Sequence, residues 1–160
     1  MSEITLVSPS ADATMVAARR VSELLVGGDV VLLAGDLGAG KTVFARGLSH
    51  GLGVTESVVS PTFTLTREYA GRVRVVHADV YRLDTVHELL DLGLYDHDDD
   101  TVTIVEWGDV VSAHFAIDRL EVLLEFTETN DSERTITIVP VGPAWTARAG
   151  ALRALVDQAA

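Results

Sequence analysis

The chain has 160 residues, 48% of them hydrophobic, which is enough for one domain with its own core, and we expect residues 1–160 to form a single domain. Its 24 acidic and 12 basic side chains give a formal net charge of −12, which argues against direct binding to a nucleic-acid backbone. There is no cysteine, so disulfides, thiol nucleophiles and cysteine-based zinc sites are excluded.

The N-terminal part of the chain predicts two strands, each followed by a helix. The predicted elements are a strand over 4–7, a helix from Ser10 or Asp12 to about Val26, a buried parallel strand over 29–34 and a helix from about Lys41 to 50. Gly27 and Gly28 are expected to end the first helix.

Residues 35–42, which we call the glycine loop, read Gly-Asp-Leu-Gly-Ala-Gly-Lys-Thr and match the P-loop pattern G-x-x-x-x-G-K-[ST]. Lys41 is the only lysine in a chain that otherwise uses arginine, so a compact ammonium stands where a nucleotide's phosphates are expected. Glycines turn backbone N–H groups inward, and Thr42 offers a hydroxyl to Mg²⁺. The predicted nucleotide-binding residues here are Gly35, Asp36, Leu37, Gly38, Ala39, Gly40, Lys41, Thr42 and Val43.

The rest of the chain predicts further strands and two helices. The expected elements are strands over 62–69 and 73–79 joined by a turn at 70–72, a helix over 85–94, a solvated aspartate-rich loop at 96–100, strands over 101–105, 119–126 and 134–139, and a helix over 143–157. Because some runs are uniformly apolar and others alternate, we expect an α/β fold of the P-loop NTPase-like, three-layer kind. Its mixed sheet would join a parallel nucleotide-binding core to added antiparallel strands.

Two acidic residues follow predicted strands directly. Asp79 comes after 73–78 and Glu106 after 101–105, and α/β folds place their ligands at the carboxyl ends of such strands. The more apolar run before Glu106 makes it the better central strand, so Glu106 is predicted to bind Mg²⁺ with Thr42. Asp79 is then expected nearer the γ-phosphate, and Lys41, Asp79 and Glu106 are the catalytic candidates. An acid at a strand end also has purely structural explanations.

Several neighbouring residues leave two interpretations open. The segment 60–63, Ser-Pro-Thr-Phe, either senses the γ-phosphate or starts an edge strand at its proline. His77 is either a hydrogen-bonded core histidine or an organiser of the γ-phosphate region. Arg82 acts as an arginine finger or pairs with a surface acid, and Trp107 is a core anchor or a nucleotide contact.

Four motifs in order and register resemble the TsaE family, formerly called YjeE. They are the glycine loop, Ser-Pro-Thr-Phe-Thr-Leu at 60–65, His77-x-Asp79-x-Tyr-Arg-Leu, and Glu106-Trp107. The resemblance covers about residues 10 to 140. Members of that family are bacterial P-loop ATPases of tRNA threonylcarbamoyladenosine synthesis.

The resemblance implies an ATPase that binds the TsaD–TsaB heterodimer and supports repeated threonylcarbamoyl transfer onto the adenosine beside the anticodon. The partner performs the transfer, so contact with tRNA is indirect. The resemblance also implies that Thr42 and Glu106 bind Mg²⁺, that Asp79 takes part in hydrolysis of ATP to ADP, and that Trp107 and Arg134 lie near the nucleotide. Val43 departs from the family pattern, in which many members have a second hydroxyl residue at this position.

Two other functions fit the same loop. A small-molecule kinase also has a P-loop, and Arg67, Arg72 and Arg74 around the predicted hairpin imitate its lid, although no acceptor-binding pattern is visible. A nucleotide-dependent binding module, whose hydrolysis is incidental, also fits. Turnover of ATP alone, with partners or with a small acceptor separates the three.

The charge and the N-terminus also bear on location and partners. The first residues, Met-Ser-Glu-Ile-Thr, lack the basic start of a signal peptide, and no stretch approaches about 18 uncharged apolar residues. We therefore expect a cytoplasmic protein with no membrane contact. Its acidic surface suits a basic patch on a protein partner.

Overall fold

The computed structural model describes residues 3–61, 66–81, 86–91, 99–107 and 118–159, and this part of the chain contains seven strands and four helices. The strands are β1 Ile4–Ser8, β2 Val30–Ala34, β3 Thr66–Ala70, β4 Arg74–Asp79, β5 Thr101–Glu106, β6 Arg119–Phe126 and β7 Arg134–Val141. The helices are α1 Ala11–Ser22, α2 Lys41–Gly51, α3 Val86–Asp91 and α4 Pro143–Ala159. The strands form one sheet in the order β1-β7-β6-β2-β5-β4-β3.

The centre of the sheet is parallel and its borders are antiparallel. β2 pairs in parallel with both β5 and β6, and β5 pairs in parallel with β4. β3, β7 and β1 are added antiparallel to β4, β6 and β7 respectively. The mixed P-loop-type α/β sheet predicted from the sequence is therefore confirmed, as is the position of β5 beside β2.

One direction differs from the prediction. The alternating pattern of 73–79 suggested an added antiparallel strand, but β4 runs parallel to β5 and only β3 is antiparallel. The alternation comes from the start of β4, where Arg74 is exposed, whereas its second half, from His77 to Asp79, is buried. A parallel strand of the core therefore begins partly exposed and ends fully buried.

Both faces of the parallel core are buried. Val31 and Leu33 of β2 belong to the larger core, which also contains buried residues of α1, α2 and α4, among them Leu152 and Val156 of α4. Val30 and Leu32 point the other way and pack in a second cluster with Ala78, Val80 and Val105. Burial on both faces is what a three-layer fold with a parallel centre requires.

Helix α1 is shorter than its apolar spacing predicts. Ser10 caps its start, with Oγ accepting the N–H of Ala13 at 3.1 Å, but the helix ends at Ser22 rather than near Val26. Arg72, from the turn between β3 and β4, donates Nη2 to the carbonyls of Ser22 and Leu25, both at 2.9 Å. Arg72 thus supplies a donor to two carbonyls at and just beyond the end of the helix, and the Ser22 carbonyl also accepts the N–H of Leu25 at 3.1 Å.

The other boundaries agree closely with the sequence. β7 and α4 each run two residues beyond the predicted ends, and α3 confirms a helix inside 85–94. Residues 62–65, 85, 92–94 and 96–98 of the predicted elements lie outside the described residues. No helix among the residues described is long and apolar enough to cross a membrane.

Candidate functional site

The glycine loop connects β2 to α2 in a conformation that requires glycine. Gly35, Gly38 and Gly40 have φ values of 147°, 83° and 109°, which L side chains rarely adopt. A Cβ at Gly35 would also lie 2.5 Å from the carbonyl oxygen of Leu124 on β6, so no side chain fits there. Gly40 caps α2, whose N-terminus therefore opens directly onto the loop.

Lys41 is held at the centre of this loop. Its Nζ donates to the carbonyl oxygens of Gly35 at 2.7 Å and Asp36 at 3.0 Å. The same ammonium lies 3.9 Å from the centre of the Trp107 ring. A nearly buried cation thus belongs to the first residue of α2, and a cation at a helix N-terminus suits an anionic ligand.

Glu106 contacts the loop from the neighbouring strand. Its Oε1 accepts the hydroxyl of Thr42 at 2.8 Å, and its Oε2 lies 2.6 Å from Nε2 of His77. The Glu106 side chain is only 4% exposed, and both of its carboxylate oxygens contact side chains of the protein. The predicted pair of Thr42 and Glu106 is therefore in direct contact.

Asp79 lies beside Glu106 at the same edge of the sheet, because the two residues are register partners at the ends of β4 and β5. Its Oδ1 accepts the backbone N–H of Tyr81 at 2.9 Å, and its Oδ2 lies 3.5 Å from the hydroxyl of Ser60. Ser60 of the predicted 60–63 segment is thus close to Asp79, while residues 62 and 63 lie outside the described part.

A cleft of about 470 Å³ joins most of the predicted site residues. It is lined by Leu37, Gly38, Gly40, Lys41, Thr42, Val43, Ser60, Asp79, Tyr81, Glu106 and Trp107. A second cavity of about 340 Å³ lies on the other side of the loop, lined by Ser10, Ala11, Thr14, Gly38, Ala39, Gly40, Val43, Asp131, Ser132 and Arg134. Gly38, Gly40 and Val43 border both spaces, so the loop separates them.

Arg134 holds the glycine loop from β7. Its Nε donates to the carbonyl oxygen of Ala39 at 3.1 Å and its Nη2 to that of Gly38 at 3.3 Å. Nη1 donates to the carbonyls of Asp131 and Glu133, and the guanidinium lies 4.2 Å from the Phe126 ring centre. Arg134 is therefore close to the glycine loop, and two of its nitrogens donate to loop carbonyls.

Trp107 packs as the core anchor that the sequence offered as one role, while its contact with a nucleotide stays a prediction. Its ring packs against the second core cluster and also covers Lys41. Its φ of 64° is the only positive value outside glycine in the described part of the chain, and such backbone strain concentrates at functional sites. Tyr81 lies against it with ring centres 4.8 Å apart.

The structure does not form the lid that the sequence suggested, and it contains a cavity that the sequence did not predict. The turn with Arg72 and Arg74 does not act as a lid, because it lies at the amino end of β4, where Arg74 donates to Glu68 and Arg72 to the end of α1. Arg82 lies outside the described residues. Sequence reasoning missed the cavity beside Ser10: the cap was predicted, but no local pattern brings the start of α1 next to the loop.

Comparison with known proteins identifies the family. The family model for "Threonylcarbamoyl adenosine biosynthesis protein TsaE" matches residues 8–136. The chain belongs to the TsaE family. A Bacillus subtilis relative named tRNA threonylcarbamoyladenosine biosynthesis protein TsaE is 43% identical over 116 residues, 72% of each chain. A Streptomyces coelicolor relative of the same name is 40% identical over 133 residues, which are 79% of this chain and 90% of that one.

A solved structure agrees with this assignment. The crystal structure of Bacillus subtilis YdiB superposes with a TM-score of 0.77 at 31% sequence identity and covers 94% of both chains. The resemblance to the TsaE family that the four motifs indicated is therefore confirmed, and so is the P-loop α/β fold.

Proposed function

We propose that the chain is an ATPase that acts in tRNA threonylcarbamoyladenosine biosynthesis, as its relatives' names suggest. The observation that carries the proposal is the contact between the Thr42 hydroxyl and Glu106 Oε1, inside a cleft that begins at Lys41 and the glycine loop. In P-loop enzymes the loop threonine and a strand-end acid share the metal of a bound nucleotide.

The donors at this contact fit Mg²⁺. A hydroxyl and a carboxylate oxygen are hard ligands, and Mg²⁺ is usually bound by one or two carboxylates together with substrate phosphates. No group of three or more acidic or histidine side chains that could hold a metal occurs among the described residues. Thr42 and Glu106 would hold the ion together with phosphate oxygens of the nucleotide. A bound Mg²⁺ would neutralise part of the negative charge of those phosphates.

Each remaining residue has a distinct task in hydrolysis. Backbone N–H groups at the start of α2 and the Lys41 ammonium bind the β- and γ-phosphates. Asp79, next to Glu106 on the neighbouring strand, accepts a hydrogen bond from the attacking water and orients it. Trp107 screens Lys41 from solvent, which strengthens the attraction between the ammonium and the phosphates.

The two cavities suggest how the nucleotide lies. The cleft with Asp79 and Glu106 takes the γ-phosphate end, because it contains the acidic residues of hydrolysis. Val43 borders both cavities, so the α-phosphate passes beside it. The nucleoside then enters the cavity between Ser10 and Arg134, which is open enough, at about 340 Å³, for an adenosine group.

The partner in this proposal is the TsaD–TsaB heterodimer, which performs the transfer and contacts tRNA. A net charge of −12 favours a basic protein surface over a direct tRNA contact. The corresponding location is the cytoplasm.

A nucleotide-dependent binding module remains a second candidate because of the rim of the cleft. Leu37 is 86% exposed and Tyr81 62% exposed, although both are apolar or aromatic and border the bound phosphates in our proposal. Exposed side chains of this kind mark contact surfaces. In this alternative, the bound nucleotide shapes the rim for a partner and hydrolysis is secondary. The kinase alternative is weaker, since its expected lid lies at the opposite edge of the sheet.

Turnover measurements test the proposal. ATP hydrolysis by the purified chain should be slow alone and faster with TsaD–TsaB, without any small acceptor. Asp79→Asn should abolish most turnover while leaving nucleotide affinity within a few-fold, and Glu106→Ala should chiefly weaken the Mg²⁺ dependence of binding. If Asp79→Asn removes the metal dependence and Glu106→Ala does not, their roles are reversed. Turnover that requires a small acceptor would instead establish a kinase.

A further inference from the structure

His77 is buried beneath the cleft and does not line it. Its side chain is 0% exposed, and it is absent from the residues that border either loop cavity. Period-two alternation along β4 places His77 on the same face as Asp79, one pair of residues deeper in the sheet. His77 is therefore a hydrogen-bonded core histidine, and its position excludes direct contact with a ligand in the cleft.

His77 is nevertheless hydrogen-bonded to Glu106, the predicted metal ligand. Nε2 of His77 lies 2.6 Å from Glu106 Oε2, while Glu106 Oε1 accepts the Thr42 hydroxyl at 2.8 Å. The three side chains form a continuous chain from the interior of the sheet to the N-terminus of α2. Glu106 is fixed at both oxygens, from below by the imidazole and from above by the hydroxyl.

We propose that His77 is a positioning residue, which holds Glu106 so that Oε1 faces Thr42 and the Mg²⁺ of a bound nucleotide. The inference rests on the proposed function, because it assigns a role toward the metal of that same site. It explains why a histidine lies on a face of β4 whose preceding residue, Val75, belongs to the apolar core.

The physical reason is rotational freedom. A glutamate has three rotatable side-chain bonds, and fixing them costs conformational entropy each time the carboxylate binds a metal. A hydrogen bond from His77 to Oε2 sets the orientation in advance, before a metal arrives. Removing such a hydrogen-bonded support of a metal ligand typically lowers metal affinity by about 10- to 100-fold.

The imidazole proton is placed by the same geometry. A carboxylate only accepts hydrogen bonds, so Nε2 of His77 must carry the proton that points at Glu106. Nδ1 is buried and has no hydrogen-bond partner among the residues described. Nuclear magnetic resonance of ¹⁵N-labelled protein should therefore find a hydrogen-bonded proton on Nε2 of His77.

The test measures the dissociation constant of ADP by calorimetry in Mg²⁺ and in EDTA. The constant in EDTA divided by the constant in Mg²⁺ is the ratio that isolates the metal-linked part of binding. His77→Phe should lower this ratio by about tenfold or more. His77→Gln should keep it within about threefold of the unaltered chain, because the glutamine Nε2 lies as many bonds from Cβ as the histidine Nε2 and donates the same bond. Thr103→Val is the matched control. It removes a buried hydroxyl on β5 that has no hydrogen-bond partner among the residues described, and it should leave the ratio unchanged.

The Glu106→Ala background separates positioning from general damage. There His77→Phe should change the ratio no further, because its only route to the metal has been removed. An unchanged ratio in His77→Phe, an effect of equal size in the Glu106→Ala background, or a bare Nε2 in the resonance spectrum each overturns the inference. Should His77→Phe fail to fold, His77→Gln and the spectrum decide. If the unaltered chain binds no nucleotide, the proposed function itself fails, which is a different result.

Discussion

Replacing Arg134 by methionine removes a guanidinium that holds two carbonyl groups of the glycine loop from outside. In the structure, Nε and Nη2 donate to Ala39 and Gly38 at 3.1 and 3.3 Å, and Nη1 anchors the arginine to Glu133 at 2.9 Å. Methionine keeps an apolar stem of similar length but provides no donor and no cation over the Phe126 ring. We expect the loop to lose part of its order before a nucleotide binds.

The size of the effect follows from these bonds. A hydrogen bond with a charged partner is worth about 1.5–3 kcal/mol, but the bond to Gly38 is long and exposed, so we count it as negligible. The bond to Ala39 then leaves about 2 kcal/mol. Because 1.4 kcal/mol corresponds to a tenfold change, nucleotide affinity should fall by roughly 25-fold.

Calorimetric titration with ADP measures this loss directly, with Mg²⁺ and with EDTA. Both dissociation constants should rise together in Arg134→Met, because Arg134 orders the loop and does not reach the Thr42–Glu106 contact. Arg153→Gln is the control: it removes an exposed arginine that donates a hydrogen bond to the Glu3 carbonyl at 3.3 Å, away from the glycine loop. An Arg134→Met affinity within twofold of the unaltered chain would refute the reasoning.

Three further outcomes are expected. Gly47→Val should destabilise the fold by about 1–3 kcal/mol in urea unfolding, because a Cβ there would lie 2.6 Å from the Met15 carbonyl oxygen on α1. Arg148→Met should lower the free energy of unfolding by about 3 kcal/mol in the same assay. In the unaltered chain Arg148 Nη1 lies 2.7 Å from the nearly buried Asp29 carboxylate, which the variant leaves without a cation. Nucleotide binding should change the tryptophan fluorescence, and Trp107→Phe should abolish that change because Trp107 lies 3.9 Å from the Lys41 ammonium; unchanged values would contradict each expectation.

The core of the site was predictable because it depends on local pattern and strand polarity. Apolar runs before Glu106 and around β2 marked two neighbouring parallel strands, and the ends of parallel strands meet at one edge. Asp79 and Glu106 are register partners for that reason. The glycines and Lys41 of the loop follow from a motif whose residues are contiguous in the sequence.

Contacts between distant residues were not predictable. At the early end of α1, the Ser22 carbonyl accepts a hydrogen bond from Arg72, which lies 50 positions further along the chain. The hold of Arg134 on the Ala39 carbonyl joins residues 95 positions apart. Local spacing carries no information about such pairs, since they exist only once the sheet has assembled.

The most direct test of the account is a calorimetric titration of Mg²⁺–ATP into the full chain and into Lys41→Ala. Lys41 brings the only lysine ammonium of the chain to the N-terminus of α2, so the unaltered protein should bind one nucleotide per chain and the variant should give no binding heat at the same concentrations. Equal uptake by both proteins would contradict the assigned role of Lys41. No uptake of ATP or ADP by the folded, unaltered chain, with or without TsaD–TsaB, would contradict the whole account.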